Sequence, residues 1–296
     1  METVLHSATK ELRIGPEQPF CIVGERINPT GRKIFQEQLR RGDLSRIEID
    51  VAQQVAGGAM MLDVNMGAPL ADEAELMVAA VKLIQDLCDL PLCLDSSIVE
   101  VLEAGLAAYD GKALVNSVTA EDERLDAILP LVRRHGAAVI ALPNDEEEIP
   151  EEPQRRLELV RKIVDVATGQ YAIPIEDIVI DPLAMPVGAD TSLVLSTLET
   201  IRLVREEFGL NMTLGASNVS FGMPDRASIG SAFLPMAALS GLTSAIMDAR
   251  SPQLVRAVKA ADLLTNKDPW GASWIAAHRA AQAAAAAAQQ AQAAGT

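Results

Sequence analysis

The chain contains 296 residues, and 49% of them are hydrophobic, which is enough for one large domain or two smaller ones. Its 41 acidic residues outnumber its 25 lysines and arginines, giving a formal net charge of −16. This balance argues against binding to nucleic acid or to an anionic membrane, because both require clustered positive charge. The odd cysteine count of 3, with no secretory signal and no long apolar span, predicts a soluble, reduced, cytoplasmic protein.

Eight short apolar runs follow one another along the chain after a lead of residues 1–17. Each run is apolar on both faces, and each precedes a longer segment with amphipathic helical spacing, such as Leu125, Ile128 and Val132. Runs of this kind are typical of parallel strands that are covered on both sides. The predicted strands span residues 20–25, 59–65, 92–95, 113–117, 137–142, 177–181, 212–218 and 243–249.

The alternation of strands and helices predicts a parallel sheet. Eight such units form a closed (β/α)8 TIM barrel more readily than an open, doubly wound sheet. The turn after the first run, GERINPTGR at residues 24–32, also lacks the GxGxxG pattern that often follows the first strand of an open sheet. We therefore predict an α/β fold with one TIM-barrel domain over residues 18–270.

Two segments of biased composition lie outside this pattern. Residues 271–296 are almost pure alanine and glutamine. Because alanine favours helix but this tail lacks an apolar stripe to anchor it, we expect it to be helical or disordered. Residues 144–153 carry six carboxylates and are expected to form a solvated loop, on the rim of the barrel where a partner could dock.

Nearly every predicted strand ends in a carboxylate or an amide. In a (β/α)8 barrel the carboxyl ends of the strands meet at one mouth, where the chemistry takes place. Aspartate and asparagine also favour turns and helix caps, which could account for about half of the set. The residues at the strand ends are Glu25, Asn28, Asp63, Asn65, Asp95, Asn116, Asn144, Asp181, Asn218 and Asp248.

The composition of this set limits the chemistry of the mouth. It contains no histidine, so we expect no metal centre there, since a metal hydrolase would combine histidine and carboxylate ligands. Ser96, Ser97 and Ser217 likewise lack a strand-end histidine that could activate a serine nucleophile. Carboxylates and amides instead suit a neutral ligand with several N–H donors and carbonyl acceptors, such as the edge of a pterin or a purine.

Six segments in the same order and spacing resemble the pterin-binding methyltransferase family. The family includes the methyltetrahydrofolate:corrinoid protein methyltransferases and the folate domain of cobalamin-dependent methionine synthase. The resemblance covers about residues 18–265, and the pattern GxSNxSxG is its most specific part. The segments are GERINPTGR (24–32), LDVNMG (62–67), LDSS (94–97), VNSV (115–118), IDPLAMPVG (180–188) and GASNVSFGMP (215–224).

The resemblance implies a TIM barrel and a role for individual residues. Asp95 and Asp181 would bind the N–H groups of the pterin, and Asn116 would hydrogen-bond the same ring. Asn218 would lie beside N5, the nitrogen that carries the methyl group, and would be the catalytic residue. Further substrate contacts would come from Asp63 and Asn65, which match the second-strand motif, and from Met223 and Arg226, beside the pterin or its benzoate arm.

The implied activity is methyl transfer between N5 of methyltetrahydrofolate and the cobalt of a corrinoid. The chain has no DxHxxG-type cobalt-ligand loop, so we expect the cobalamin to be carried by a separate corrinoid protein and no metal to be bound here. Asn218 has no titratable proton, so it would stabilise a protonated N5 without acting as the general acid. The resemblance also implies a homodimer.

Two other readings remain open. Dihydropteroate synthase also binds a pterin in a barrel, but it needs cations for a pyrophosphate at the eighth strand. Here that strand ends in Met247-Asp248-Ala249-Arg250, which places an acidic residue at that position. The other reading is a non-catalytic folate-binding barrel. If the strand-end residues only cap helices, no pterin would bind at all.

Overall fold

The computed structural model describes residues 1–147 and 149–294. Eight parallel strands form one sheet, and three antiparallel strands form a second, smaller one. The strands are β1 (Thr3–Ser7), β2 (Glu11–Ile14), β3 (Cys21–Ile27), β4 (Met61–Asn65), β5 (Leu92–Asp95), β6 (Gly111–Lys112), β7 (Leu114–Thr119), β8 (Ala138–Leu142), β9 (Ile178–Ile180), β10 (Asn211–Met212) and β11 (Ser244–Met247).

The large sheet closes into a barrel. Its strands follow the order β10-β9-β8-β7-β5-β4-β3-β11, and every neighbouring pair is parallel. The two ends meet where the Thr243 N–H donates to the Met212 carbonyl at 3.3 Å and the Ile246 N–H donates to the Leu214 carbonyl at 2.9 Å. The eight predicted strands are therefore present, and the predicted TIM barrel is confirmed.

The helices lie between consecutive barrel strands and cover the outside of the sheet. Local sequence defines their ends: Asp72 accepts a hydrogen bond from the Glu75 N–H at the start of one helix, and Gly136 ends another in a left-handed conformation. The helices are α1 (Lys33–Arg40), α2 (Ser45–Gly57), α3 (Glu73–Leu87), α4 (Val99–Ala108), α5 (Asp122–His135), α6 (Pro153–Gly169), α7 (Leu193–Phe208), α8 (Arg226–Ser240), α9 (Pro252–Leu264) and α10 (Ala272–Ala294).

The alanine- and glutamine-rich tail begins with α10, so Ala272–Ala294 is helical and residues 295–296 lie outside the described part of the chain. Within residues 1–147 and 149–294, no helix combines the length and the apolar character needed to cross a membrane.

The N-terminal segment closes the lower end of the barrel, a feature that the sequence analysis did not predict. Strands β1 and β2 form an antiparallel hairpin, and β1 also pairs with β6. Leu5, Leu12 and Ile14 are buried in one cluster with Cys21 and Met61 inside the barrel. The alternation of buried and exposed residues along both short strands explains why the hairpin presents one apolar face to the barrel.

One predicted strand is shorter than expected. The run at residues 212–218 forms only the short strand β10 (Asn211–Met212), and a 3-10 helix follows at Ala216–Ser220. The chain still reaches the barrel rim, because Gly215 makes an isolated parallel bridge to Ile246. The turn that carries Asn218 therefore begins where the last parallel contact of this strand ends.

Candidate functional site

The upper end of the barrel interior is polar, and strand periodicity explains why. Val23, Met61, Cys93, Leu114 and Val179 all belong to the apolar cluster inside the barrel. Side chains alternate between the two faces of a strand, so the residue two positions later on each strand points inward as well, one layer higher. These upper inward positions are occupied by Glu25, Asp63, Asp95, Asn116 and Asp181.

Hydrogen bonds join four of the predicted site residues across the strands β4, β5 and β7, with β5 lying between the other two. The Asn116 amide donates to Asp63 Oδ1 at 3.2 Å, and the Asn65 amide donates to Asp95 Oδ2 at 2.9 Å. Asn65 Oδ1 in turn accepts from the Gly67 N–H at 2.8 Å. Both amide groups are thus oriented by specific partners, which holds the two carboxylates in place at the mouth.

Burial changes the ionisation of these two carboxyl groups. The pKa of Asp63 is raised well above its ordinary value, chiefly by burial and next by the charge of Asp95; hydrogen bonds from Asn116 and Cys93 partly oppose the rise. The pKa of Asp95 is also raised by burial, against the hydrogen bond from Asn65. Two acidic groups this close, in a site shielded from water, favour a ligand that supplies N–H donors.

Asp181 lies on the opposite side of the mouth, at the end of β9. Its Oδ1 accepts a hydrogen bond from the Leu183 N–H at 2.8 Å. Burial raises the pKa of Asp181 to about 7, although the Leu183 N–H and the positive charge of Arg156 both oppose the rise. This carboxyl group therefore changes its charge near neutral pH.

Arg156 is a supporting residue that sequence reasoning missed. It belongs to α6 and is 0% exposed. Its Nε donates to the Pro150 carbonyl at 2.7 Å, and its Nη1 donates to the carbonyls of Pro182 at 2.8 Å and Leu183 at 3.1 Å. Arg156 thus connects the acidic stretch (residues 144–153), through Pro150, to the loop that follows Asp181.

Asn218 lies in the 3-10 helix at Ala216–Ser220, on the rim beside the mouth. Its side chain is exposed and forms no hydrogen bond with any described residue, so its amide is available to a ligand. A Cβ at Gly215 would lie 3.0 Å from the Asn218 Nδ2, so the Asn218 side chain lies close over the Gly215 backbone. The Val187 N–H donates to the Val219 carbonyl at 2.9 Å and connects this turn to the loop after β9.

Two further strand-end acids have protein partners. Glu25 Oε2 accepts a hydrogen bond from Ser217 Oγ at 3.0 Å, and burial raises the Glu25 pKa despite that bond. Asp248 pairs with Arg250, whose Nε and Nη2 donate to the two carboxylate oxygens at 2.8 and 2.7 Å. Burial tends to raise the Asp248 pKa, but the bonds from Arg250 outweigh it and hold that pKa below its ordinary value.

Met223 and Arg226 lie in and just after the loop beyond Asn218. Arg226 Nη2 donates to the Ser217 carbonyl at 2.6 Å, and its Nε donates to Ser220 Oγ at 3.2 Å. A Cβ at Gly188 would lie 3.5 Å from the Met223 sulfur, so Met223 packs against the loop after β9. Both residues therefore support the Asn218 turn, and their contacts with a ligand stay predictions.

Two strand-end amides and the acidic stretch have structural contacts instead. Asn28 Oδ1 accepts from the Thr30 N–H at 2.9 Å in a local turn, and the main chain of Asn144 bonds to Ala120 and Leu142. Within residues 144–153, Asp145 forms an ion pair with Arg155 at 2.7 Å, and residue 148 lies outside the described part of the chain.

Comparison with known proteins agrees with this geometry. The family described as pterin binding enzymes matches residues 24–248. The methylcorrinoid:tetrahydrofolate methyltransferase of Eubacterium limosum is 29% identical over 255 residues, covering 84% of this chain and 92% of that protein. The methionine synthase of Mycobacterium tuberculosis is 33% identical over 241 residues, covering 77% of this chain and 20% of that protein. This chain therefore spans about one fifth of that methionine synthase.

Solved structures agree on the fold. Dihydropteroate synthase from Xanthomonas albilineans in complex with 7,8-dihydropteroate superposes with a TM-score of 0.69 at 19% identity, covering 88% of this chain and 98% of that one. Dihydropteroate synthase from Yersinia pestis gives a TM-score of 0.65 at 15% identity, with coverages of 90% and 100%. At such low sequence identity, these superpositions establish only that the superposed proteins share the barrel fold. The match over residues 24–248 confirms the resemblance seen in the sequence: this chain belongs to the family of pterin binding enzymes.

Proposed function

We propose that this protein is a methyltransferase that moves the N5 methyl group between methyltetrahydrofolate and the cobalt of a separate corrinoid protein. The observation that carries the proposal is the arrangement of the mouth. Asp63, Asp95 and Asp181 occupy upper inward positions of three barrel strands, and Asn218 lies on the rim with an exposed amide that has no hydrogen-bond partner among the described residues. The names of the two curated relatives, a methylcorrinoid:tetrahydrofolate methyltransferase and a methionine synthase, support the same chemistry.

Binding of the pterin follows from the donors and acceptors at the mouth. A pterin edge presents adjacent N–H donors, and a carboxylate accepts two such bonds side by side. Asp95 and Asp181 accept these bonds; the Asn65 amide orients Asp95, and the Leu183 N–H orients Asp181. Hydrogen bonds from the N–H groups of the ligand stabilise the ionised carboxylates and offset the cost of burial that raises their pKa values.

Asn218 acts at the atom that releases the methyl group. A tertiary amine is a poor leaving group unless its nitrogen is protonated or strongly hydrogen-bonded while the carbon–nitrogen bond breaks. The Asn218 amide can accept a bond from protonated N5 and, after transfer, donate one to the neutral nitrogen. Asparagine has no acidic proton at neutral pH, so it stabilises the changing charge without supplying the proton itself.

The reduced corrinoid is the second substrate and supplies the nucleophile that takes the methyl group in a single displacement. N5 takes a proton from solvent before the displacement, so the electron pair of the broken carbon–nitrogen bond stays on N5 and leaves it as the neutral N–H of tetrahydrofolate. Because the same contacts hold both folates, the site supports transfer in either direction. The homodimer and the cytoplasmic location expected from the sequence remain predictions.

The proposal is tested by mixing the protein with methyltetrahydrofolate and cob(I)alamin and following the visible absorption of the cobalt. We expect the cob(I)alamin bands to disappear as methylcobalamin forms, at a rate that depends on the protein and falls sharply in Asn218→Ala. A protein that binds methyltetrahydrofolate but transfers no methyl group would be a non-catalytic folate-binding barrel. Condensation of a pterin pyrophosphate with p-aminobenzoate would instead identify a dihydropteroate synthase.

A further inference from the structure

A group of arginines lies at the mouth of the barrel, beside the proposed pterin site. Arg26 is at the end of β3, Arg32 precedes α1, Arg46 is in α2, and Arg250 lies between β11 and α9. Such a concentration of positive charge is unexpected in a chain with a formal net charge of −16. Mutual repulsion makes the arrangement costly unless anions are nearby.

Three of the four arginines have carboxylate partners. Asp50, which is 0% exposed, forms ion pairs with Arg32 at 2.8 Å and with Arg46 at 3.1 Å. Arg250 is paired with Asp248 at 2.7 Å. The single Asp50 carboxylate is thus shared by two guanidinium groups, those of Arg32 before α1 and Arg46 in α2, whereas Arg250 has Asp248 as its own partner.

Arg26 is the exception. No carboxylate lies within ion-pair distance of its guanidinium among the described residues, and its buried Nε has no hydrogen-bond partner. Its main-chain N–H is held by Gln54 Oε1 at 2.9 Å. Burial lowers the Arg26 pKa, and the positive charges of Arg32 and Arg250 lower it further, against a smaller opposing effect of the Asp248 and Asp50 carboxylates. A partly buried guanidinium without a partner, next to two other cations, is a site that an anion would stabilise.

An irregularity in β3 brings Arg26 to this position. Gly24 is opposite Leu62 on β4, whereas Ile27 is opposite Val64, so two residues of β3 face the single residue Asp63. Such a bulge redirects side chains and is common next to active sites. Glu25, the other residue of the bulge, bonds to Ser217 at 3.0 Å, one residue before Asn218.

Close backbone packing fixes the opposite side of the arginine group. A Cβ at Gly57, the last residue of α2, would lie 2.0 Å from the Ala249 carbonyl oxygen and 3.3 Å from the Arg250 nitrogen. Only glycine allows the end of α2 to approach the loop after β11 so closely. The arginines on β3, α2 and this loop are therefore held in a defined arrangement.

We propose that Arg26, assisted by Arg32 and Arg250, binds an oxyanion carried by one of the two reactants of the proposed methyl transfer. The inference rests on that proposed function, because it takes its ligand from the same reactants. Two groups have the required chemistry: a carboxylate of the glutamate arm of the folate, and the phosphodiester of the corrinoid nucleotide. Both are planar or tetrahedral oxyanions that a guanidinium can bind through two parallel N–H groups.

The experiment compares ligands with and without the anion in the wild-type protein and in Arg26→Gln. Binding is titrated with methyltetrahydrofolate and with methyltetrahydropteroate, which lacks the glutamate. Methyl transfer is followed with cob(I)alamin and with cob(I)inamide, which lacks the phosphodiester. We expect the wild-type protein to prefer the anionic member of one pair by about tenfold, and Arg26→Gln to lose that preference.

Three controls make the result specific. Arg13→Gln removes the same charge from the hairpin at the far end, where Arg13 pairs with Glu2 and Glu11, and should keep the preference. Arg26→Lys keeps the charge without the paired N–H geometry and should retain part of it. Arg26→Gln should have the melting temperature of the wild type, because the Arg26 side chain forms no hydrogen bond within residues 1–147 and 149–294.

The outcomes separate the two sources and the two proposals. Loss of the glutamate preference assigns the site to the folate arm, and loss of the cobalamin preference assigns it to the corrinoid nucleotide. If Arg26→Gln keeps both preferences, or if the wild type shows neither, the oxyanion site is wrong. Failure of the wild type to transfer a methyl group from either folate to either corrinoid contradicts the proposed function itself.

Discussion

The two ends of the barrel interior are built from the same strands but differ completely in character. At the lower end, Leu5 and Ile14 of the hairpin pack against Met61 and Cys93 in an apolar cluster. At the upper end, the next inward residues include Asp63 and Asp95, the pKa values of which are raised by burial. On each strand, the two positions are only two residues apart. The lower one, such as Met61, stabilises the fold, whereas the upper one, such as Asp63, lowers stability but can bind a ligand.

This contrast suggests that the hairpin compensates for the acidic mouth. Burying carboxyl groups without positively charged partners is unfavourable, and the cost must be met by packing elsewhere. If so, substitutions in the lower cluster should change stability and leave ligand binding alone. Substitutions at the mouth should weaken ligand binding and should leave the stability of the protein unchanged or increase it.

The largest expected effect is at the lower end. Leu5 is 0% exposed, so Leu5→Ala should lower the free energy of unfolding by about 2–5 kcal/mol through lost burial and a residual cavity. The measurement is urea denaturation followed by circular dichroism. Leu5→Met keeps most of the volume and should cost less than about 1.5 kcal/mol. An equal loss of folate affinity in folded Leu5→Ala would contradict the separation of the two ends.

The next effect is at the mouth and concerns catalysis. Asn218→Ala should lower kcat by roughly 10²–10³, equivalent to about 2.7–4 kcal/mol, because its contact with N5 strengthens as the methyl group departs. Folate affinity should change much less. Stopped-flow methyl transfer and a fluorescence titration separate the two quantities, with Gln170→Ala as an exposed amide control at the end of α6. Equal losses of rate and binding would refute the catalytic role.

A smaller effect concerns binding. Asp181→Ala should weaken methyltetrahydrofolate binding by about ten- to a hundredfold, as expected for the loss of hydrogen bonds to a charged group. Burial raises the pKa of Asp181 to about 7, and the ligand requires the ionised form. The affinity of the wild type should therefore fall as the pH drops below about 7, and that dependence should be absent in the variant. An unchanged affinity in a fluorescence titration would count against the assignment.

The smallest effect is a gain in stability. The folded-state pKa of Asp181 is raised to about 7 from an ordinary value near 4, so between these values the folded protein keeps a proton that the unfolded chain releases. Stability is therefore lost as the pH rises through this window. Without ligand, Asp181→Asn should be more stable than the wild type by about 1–3 kcal/mol at about pH 8, after allowance for partial solvent exposure.

Chemical denaturation across the same pH range checks this gain. The difference between Asp181→Asn and the wild type should shrink steadily towards about pH 4, where the unfolded carboxyl group is protonated as well. Asp177→Asn is a useful comparison, because Asp177 also has a pKa raised by burial but is paired with Lys112 at 2.6 Å. That variant leaves an ammonium group without its partner and should not be stabilised.

Much of the barrel could be predicted from the sequence, because parallel strands covered on both sides are continuous apolar runs. The same periodicity identified Asp63, Asn65, Asp95 and Asn116, which the structure brings together in two hydrogen-bonded pairs. The roles of these residues toward a pterin came from the family resemblance. Spacing alone indicated only a mouth rich in acceptors.

Other features depend on contacts that no local pattern reveals. Arg156 and Arg155 are neighbours in one helix, and only the fold shows that the first is buried against three carbonyl groups. The bulge at Glu25 and Arg26 depends on the register with β4. The hairpin did carry a signal, the alternation of Leu12 and Ile14 with the charged Glu11 and Arg13, but strands this short gain their stability from the barrel that they close.

The central claim is that the upper end of the barrel holds the pterin and places its methylated nitrogen at Asn218. A crystal structure of the protein with methyltetrahydrofolate tests it most directly. We predict that the ring lies between Asp95, Asn116 and Asp181, with N5 within hydrogen-bonding distance of the Asn218 amide. A ring bound elsewhere, or an Asn218 side chain turned away from N5, would contradict the account.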